Sequence, residues 1–239
     1  MISNLEDYKE AMRHIVLGIH FLAVSDQKMF HRDINRSSLM FRLEDGKVYG
    51  VINSFNLAER EDNSSKGHKS GQSWERPFMS ISLHLDEKMM GTTEYIERFD
   101  LESILYVMWW EVRLSDKGKL FATEEAQETY KKWIELDDKN LHDFKRVALW
   151  DIREDLINES YRPLCWTWLR PLCRIFADGY SELLEYNSNC EGTETCSDFS
   201  LPDGEELIEF DYDTLGGHVT FEKIWEIMGD YPMSSSRCY

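Results

Sequence analysis

Between Leu5 and about Val24, the apolar positions Tyr8, Met12, Ile15, Val16, Ile19 and Leu22 recur every three or four residues. That is the period of an amphipathic helix with one face on a core. The polar run Ser25-Asp26-Gln27-Lys28 ends it. Met29-Phe30 and Leu39-Met40-Phe41 read as short extended segments, and Val48-Tyr49-Gly50-Val51-Ile52 as a partner strand. Glu44-Asp45-Gly46-Lys47 between them has the composition of a hairpin turn. Residues 59–75 are polar, rich in Ser, Gly and Lys, and without period, which predicts a surface segment. Order returns at Arg76-Pro77-Phe78-Met79-Ser80-Ile81. The stretch from Asp100 to Leu114 is apolar on nearly every face, so it predicts a helix buried in the middle of the domain. Tyr130, Trp133, Ile134, Phe144, Val147, Ala148 and Leu149 carry a further amphipathic pattern. Leu164 to Tyr180 predicts another helix, which Pro171 bends or divides. Phe221 to Met228 has helical spacing and closes the fold. The whole reads as one mainly α domain with a small β-hairpin.

The 239 residues are 42% hydrophobic and 13% aromatic, enough large apolar material for a real core. Acidic residues outnumber basic ones, 45 to 27, for a net charge of -18. That balance repels phosphate, and no basic patch offsets it, so nucleic acid is not an expected partner. No apolar run approaches the ~20 residues of a membrane span. The first residues lack a basic region followed by an apolar run, so the chain is expected to be intracellular, in cytoplasm or nucleus, and not secreted. Cys165, Cys173, Cys190, Cys196 and Cys238 contain no CxxC pair, hence neither a disulfide framework nor a zinc signature. Cys165 and Cys173 read as small core residues. The other histidines (His14, His20, His68, His84, His142, His218) lack metal-ligand spacing. From Ile175 to Glu222 there is no Lys or Arg while Asp and Glu are frequent; the run is either a solvated insert or a docking strip for a basic partner.

The chemistry-bearing residues begin at His31-Arg32-Asp33-Ile34, preceded by a helix and followed by the hairpin. After the hairpin come Ser54-Phe55-Asn56-Leu57-Ala58, then Phe78-Met79-Ser80-Ile81, then Asp100-Leu101-Glu102-Ser103 opening the buried helix. That order resembles the C-terminal lobe of a protein kinase. In detail it resembles the fungal-type protein kinases, through His31-Arg32-Asp33-Ile34, Gly50-Val51-Ile52 with Phe55 and Leu57-Ala58, Phe78-Met79-Ser80-Ile81, Asp100-Leu101-Glu102-Ser103 with Tyr106-Val107, and Trp133 with Phe144-Lys145. The resemblance implies a lobe over residues 1–180, with its catalytic loop at 31–38, metal turn at 54–58, activation segment at 54–82 and central helix at 100–114. Residues 181–239 are then an acidic insert and a helix closing the same domain.

Carried over by position, Asp33 stands where the base accepts the substrate hydroxyl proton. The resemblance gives His31 and Arg32 a role in loop architecture, leaves Asp33 either architectural or a live base, and gives Asp100 the structural role of holding the loop backbone. The two magnesium-binding positions fall on Ser38 and Ser54, and the residue two beyond is Asn56. A neutral hydroxyl is a weak ligand for a hard cation that prefers carboxylate oxygen. The chain also shows no GxGxxG loop and no Val-Ala-Ile-Lys-like strand before His31, so the N-terminal lobe is read as absent. Electrostatic groups of this kind are each worth ~3–4 kcal/mol, so losing two anchors and the Lys removes ~10 kcal/mol of transition-state stabilisation. General-base help of about 10²–10⁴-fold does not replace that.

The expected function is a truncated pseudokinase that acts, if at all, by protein binding or regulation, with no cofactor and no metal; a truncated or decaying copy without a selected function is a third reading. The alternative is an active serine/threonine kinase using ATP and Mg, with Asp33 as base. Partners in the first reading are basic proteins or a related kinase, and the uncovered lobe face favours self-association. Ser64, Ser65, Ser70 and Ser73 read as loop serines or phosphorylation sites. Ser82 replaces the Glu of the kinase Pro-Glu pair, which implies a lost ion pair with a late Arg and a looser activation segment.

Overall fold

The computed structural model describes residues 4–60, 76–84, 94–116, 119–120, 123–190 and 210–229. It is mainly helical. Helix α1 (Leu5–Val24) starts at Asn4, whose side-chain oxygen accepts the Asp7 N–H at 2.8 Å. It buries Tyr8, Ala11, Met12, Ile15, Val16 and Ile19, the stripe its period requires. Strand β1 (Met29–Phe30) follows, then the antiparallel hairpin β2 (Leu39–Glu44) and β3 (Lys47–Ile52), in register from Leu39 opposite Ile52 to Glu44 opposite Lys47. Its two-residue turn places Asp45 and Gly46 at φ 50° and 77°, the left-handed pair that matches strand twist. β1 pairs with β4 (Glu59–Arg60).

The hairpin lies against α1 because Gly50 has no side chain. A Cβ there would sit 1.9 Å from the Ala11 carbonyl oxygen. This contact fixes where the residues flanking the hairpin stand.

Helix α2 (Glu97–Leu114) is the core of the molecule, buried along almost its whole length. It begins three residues before Asp100, where no polar cap marks its start. The amphipathic pattern after it is two helices, α3 (Glu124–Glu135) and α4 (Asp138–Trp150), separated where Asp137 caps the second by accepting the Asn140 N–H. Short strands β5 (Ser115–Asp116) and β6 (Lys119–Leu120) form a third two-stranded ladder.

A short turn at Arg162–Leu164 then passes through a π-helical turn, Cys165–Leu169, into α5 (Arg170–Cys190). Pro171 explains the π turn: it has no N–H to continue the ladder, and the Arg170 N–H reaches back to the Cys165 carbonyl instead. α5 runs ten residues beyond Tyr180, so the start of the acidic stretch is helical and continuous with the lobe. Helix α6 (Phe221–Met228) packs Phe221, Ile224 and Met228 into the core. Cys165 and Cys173 are buried thiols. No helix among the described residues is long and apolar enough to cross a membrane. Ser64, Ser65, Ser70, Ser73, Cys196, Cys238 and the acidic residues 191–209 lie outside the described residues.

Candidate functional site

The loop from His31 to Ser38 crosses the N-terminal half of α2, and Asp100 ties the two together. Its buried carboxylate accepts the backbone N–H of His31 at 2.8 Å and of Arg32 at 3.0 Å, and the Tyr95 hydroxyl at 2.9 Å. Burial raises its pKa while those donors oppose the rise. His31, also buried, takes the Asp33 N–H on Nδ1 and donates from Nε2 to the Asn53 carbonyl at 2.7 Å. The end of β3 and the loop are thereby joined through one imidazole, and Asn53 N–H to Ser38 O at 2.8 Å closes the same seam. Arg32 (φ 67°) and Ser54 (φ 66°) both sit in the left-handed region, which costs a non-glycine residue ~1–2 kcal/mol. Arg32 lays its guanidinium 5.2 Å from the Tyr95 ring centre.

Asp33 is half buried, and its carboxylate accepts from Asn35 Nδ2 at 2.7 Å. Desolvation raises its pKa, and the Asn35 bond and His31 hold it down. Ser38 is fully buried. Its hydroxyl donates to the Asn35 carbonyl and accepts the Asn35 N–H, each at 2.9 Å. Both bonds are internal to the loop, so the hydroxyl faces no open site. Ser54 is exposed and caps nothing with its side chain, and Asn56 is exposed too. Among the described residues no three His, Cys, Asp or Glu side chains converge to hold a metal ion. Among the described residues a pair of magnesium ions does not fit this donor set: the Ser38 hydroxyl is consumed, the Ser54 hydroxyl is neutral, and Asp33 is the one carboxylate at these positions.

The segment Arg76–His84 is the described end of the expected activation segment. Ser82 lacks the carboxylate of the kinase pair, and Glu102 of α2 supplies one to the segment. Its fully buried carboxylate accepts the Ser80 hydroxyl, the Ile81 N–H at 2.9 Å, and the hydroxyls of Tyr106 and Tyr180 at 2.7 Å each. Arg98 stands 3.7 Å away and donates to Tyr180, to Ser82 and to the carbonyls of Tyr212 and Asp213. A second buried anchor is Lys145. Its ammonium bonds the carbonyls of Arg76 (3.2 Å) and Met79 (2.6 Å) and His84 Nε2 (3.3 Å), with the Tyr106 ring centre at 4.2 Å. His84 Nδ1 in turn contacts Asp138 at 3.2 Å, which also binds Arg76. Burial lowers Lys145 to about 7, and burial with the Lys145 charge lowers His84 to about 3.

Sequence reasoning placed Asp100 beside the loop but missed Glu102, Arg98, Tyr180 and the Lys145–His84–Asp138 chain. Glu102 carried a signal: a carboxylate in a helix buried all round needs several donors.

Comparison with known families adds the remaining observation. The family model described as fungal protein kinase matches residues 3–112. Residues 3–112, a little under half of the 239, are thus similar to the fungal protein kinase family. The matched kinase stretch contains the loop, the hairpin, the Ser54 turn, the Glu102-anchored segment and α2 almost to its end. No curated protein and no solved structure matches the chain.

Proposed function

We propose that the chain is a kinase-like lobe without phosphotransfer, a pseudokinase that works as a protein-binding scaffold. The observation that carries this reading is Ser38. At the family position of a magnesium-binding Asn it has a short side chain, fully buried, whose hydroxyl is closed onto Asn35. Ser54, at the other metal position, offers only a neutral oxygen. Phosphoryl transfer depends on positioning and charge neutralisation, so a kinase fold without either metal anchor keeps its shape and loses its reaction. The net charge of -18 favours basic protein partners.

The second reading, a serine/threonine kinase with Asp33 as base, draws on the Asn35 bond that holds the Asp33 carboxylate and on its raised pKa. Thermal unfolding with and without Mg-ATP separates the two. A ligand at 100 times its Kd adds ~2.7 kcal/mol, about 5–10 °C in Tm for a chain of this size. The scaffold reading expects no magnesium-dependent rise. A rise of that size, abolished by Ser54→Ala, would establish the kinase reading instead.

A further inference from the structure

The face of α5 that looks away from the lobe carries an order of charges that a lone helix does not favour. Arg170, Arg174, Asp178 and Glu182 follow one another at four-residue steps, the spacing of a ridge of side chains along a helix surface. The opposite face, with Leu172, Cys173, Phe176 and Leu183, is buried in the lobe. All four charged side chains of the ridge reach solvent. Opposite charges four residues apart attract and like charges repel, so the signs on a solvated helix face tend to alternate. This ridge runs plus, plus, minus, minus. Two of its three steps are like-charged, and only Arg174 to Asp178 closes an ion pair, at 3.2 Å. The outer members turn to other elements, Arg170 to Glu154 and Glu182 to His218, each at 2.6 Å. Exposed pairs of this kind contribute little. A guanidinium with five donors and a carboxylate with about four acceptor positions keep capacity for further partners.

The signs match in full against a second copy of the same ridge run antiparallel. About a two-fold axis between Arg174 and Asp178, Arg170 meets Glu182 of the second copy and Arg174 meets its Asp178. Symmetry repeats both contacts, which gives four ion pairs and opposes no like charges. A parallel copy in register sets plus against plus. Ridges at this spacing are also the ones that interdigitate when two helices pack with their axes 8–10 Å apart. The two ends of the ridge differ in kind. At the basic end two indoles lie against the arginines: Trp166, 52% exposed, has its ring centre 4.2 Å from the Arg170 guanidinium, and Trp150, 48% exposed, has its own 4.4 Å from that of Arg174. Exposed Trp and Arg are the residues on which association energy concentrates. At the acidic end a groove of about 1010 Å³ opens beside α5; Glu182, Glu185, Tyr186, Phe210 and Asp211 line it, and no Lys or Arg does. The same axis sets Trp166 of one copy opposite Tyr186 of the other, so the basic aromatic end faces the acidic end twice. The net charge of -18 repels a second copy from a distance but is screened over ~8 Å, whereas the four pairs act at contact.

We infer that the outer face of α5 is a homodimer surface, on which a second copy of this chain docks antiparallel through Arg170, Arg174, Asp178 and Glu182. α5 lies beyond the matched residues 3–112, and the inference does not depend on whether the lobe transfers phosphate.

The test is sedimentation velocity of the full chain across the micromolar range at physiological salt, with circular dichroism to confirm that each variant is folded. The native chain is expected to show a concentration-dependent equilibrium between monomer and dimer. Arg170→Glu with Arg174→Glu makes the ridge wholly acidic, and Asp178→Arg with Glu182→Arg makes it wholly basic. Each double variant alone dimerises at least about tenfold more weakly, since four attractions become four repulsions. An equimolar mixture of the two, one of them carrying a fluorophore, forms a dimer that holds one of each. The outer-pair changes Arg170→Glu and Glu182→Arg leave the Arg174–Asp178 bridge in place and repeat the crossed test with one charge reversed in each. A native chain that stays monomeric throughout, a dimer that the reversals leave unchanged, or reversed variants whose mixture stays monomeric would overturn the surface.

Discussion

Lys145→Met is the most informative single change, because it tests whether a buried ammonium holds the segment before α2. Lys145 is wholly buried, and its folded pKa of about 7 lies below the ~10.4 of an unfolded lysine. Between those values the unfolded chain binds more protons than the folded one, so stability climbs with pH across that window. Integration from pH 7 to 8.5 gives a gain of about 1.5 kcal/mol from this residue. Cys165 and Cys173 work in the opposite direction, since burial raises both thiols; unfolded thiols ionise from about pH 8.5. That contribution is common to both proteins and cancels in the difference. Urea unfolding followed by tryptophan fluorescence at pH 7.0, 7.5, 8.0 and 8.5 is the assay. The native chain gains on Lys145→Met by about 1.5 kcal/mol over the range, whatever the absolute stability of the variant. Parallel curves would refute the reasoning: they would mean that two carbonyls, His84 and two aromatic faces keep Lys145 charged at its ordinary pKa.

Two further changes test other anchors. Gly50→Ala drives a methyl group into the Ala11 carbonyl, which lies 1.9 Å from the ideal Cβ; the backbones of α1 and β3 must part, at a cost of ~3 kcal/mol or more, read as a fall in Tm of about 6–12 °C. A change within ~0.5 kcal/mol, the range of an ordinary surface substitution, would show that the hairpin is not seated on α1. Glu102→Gln turns one acceptor oxygen into a donor facing donors and costs ~2–4 kcal/mol, with faster amide exchange across residues 76–84. Ser80→Ala removes one of the four bonds, and a loss as large as that of Glu102→Gln would show that the carboxylate is not what gathers the segment.

How much of this was legible depended on how far apart the partners stand in the chain. α1, the Asp45-Gly46 turn and the buried character of α2 follow from local period and turn chemistry, and the chain folds them as read. The beginning of α2 was invisible because Ile96 caps it without a polar side chain. The break between α3 and α4 rests on Asp137, one acidic residue among several. The π turn needed the hydrogen bonding before Pro171 as well as the proline itself. The buried anchors are the deeper gap. Lys145 meets His84 across 61 residues and Tyr180 meets Glu102 across 78, and no local pattern announces such pairs. The same holds beside Ser82: the family's carboxylate is missing at that position, and the Glu102 carboxylate that binds Ser80 and Ile81 comes from a different element.

The distribution of kept and altered groups bears on whether the lobe has a role. Buried hydrogen-bond sets are expensive when half made, since each orphaned donor costs ~1–3 kcal/mol. The sets around Asp100 and Glu102 are complete, with three donors on the first and four on the second. On the proposed reading the altered positions are Ser38 and Ser54, which the family resemblance aligns with metal-holding residues. A chain that drifts freely breaks buried anchors as readily as it loses ligands, and their cost would show first in stability. The proposed reading has folding and metal binding come apart: the hydrogen bonds that shape the loop are made, and the two aligned metal positions carry neutral oxygen. That separation is what the proposed scaffold requires, and a magnesium-dependent rise in Tm with ATP would show that it has not occurred.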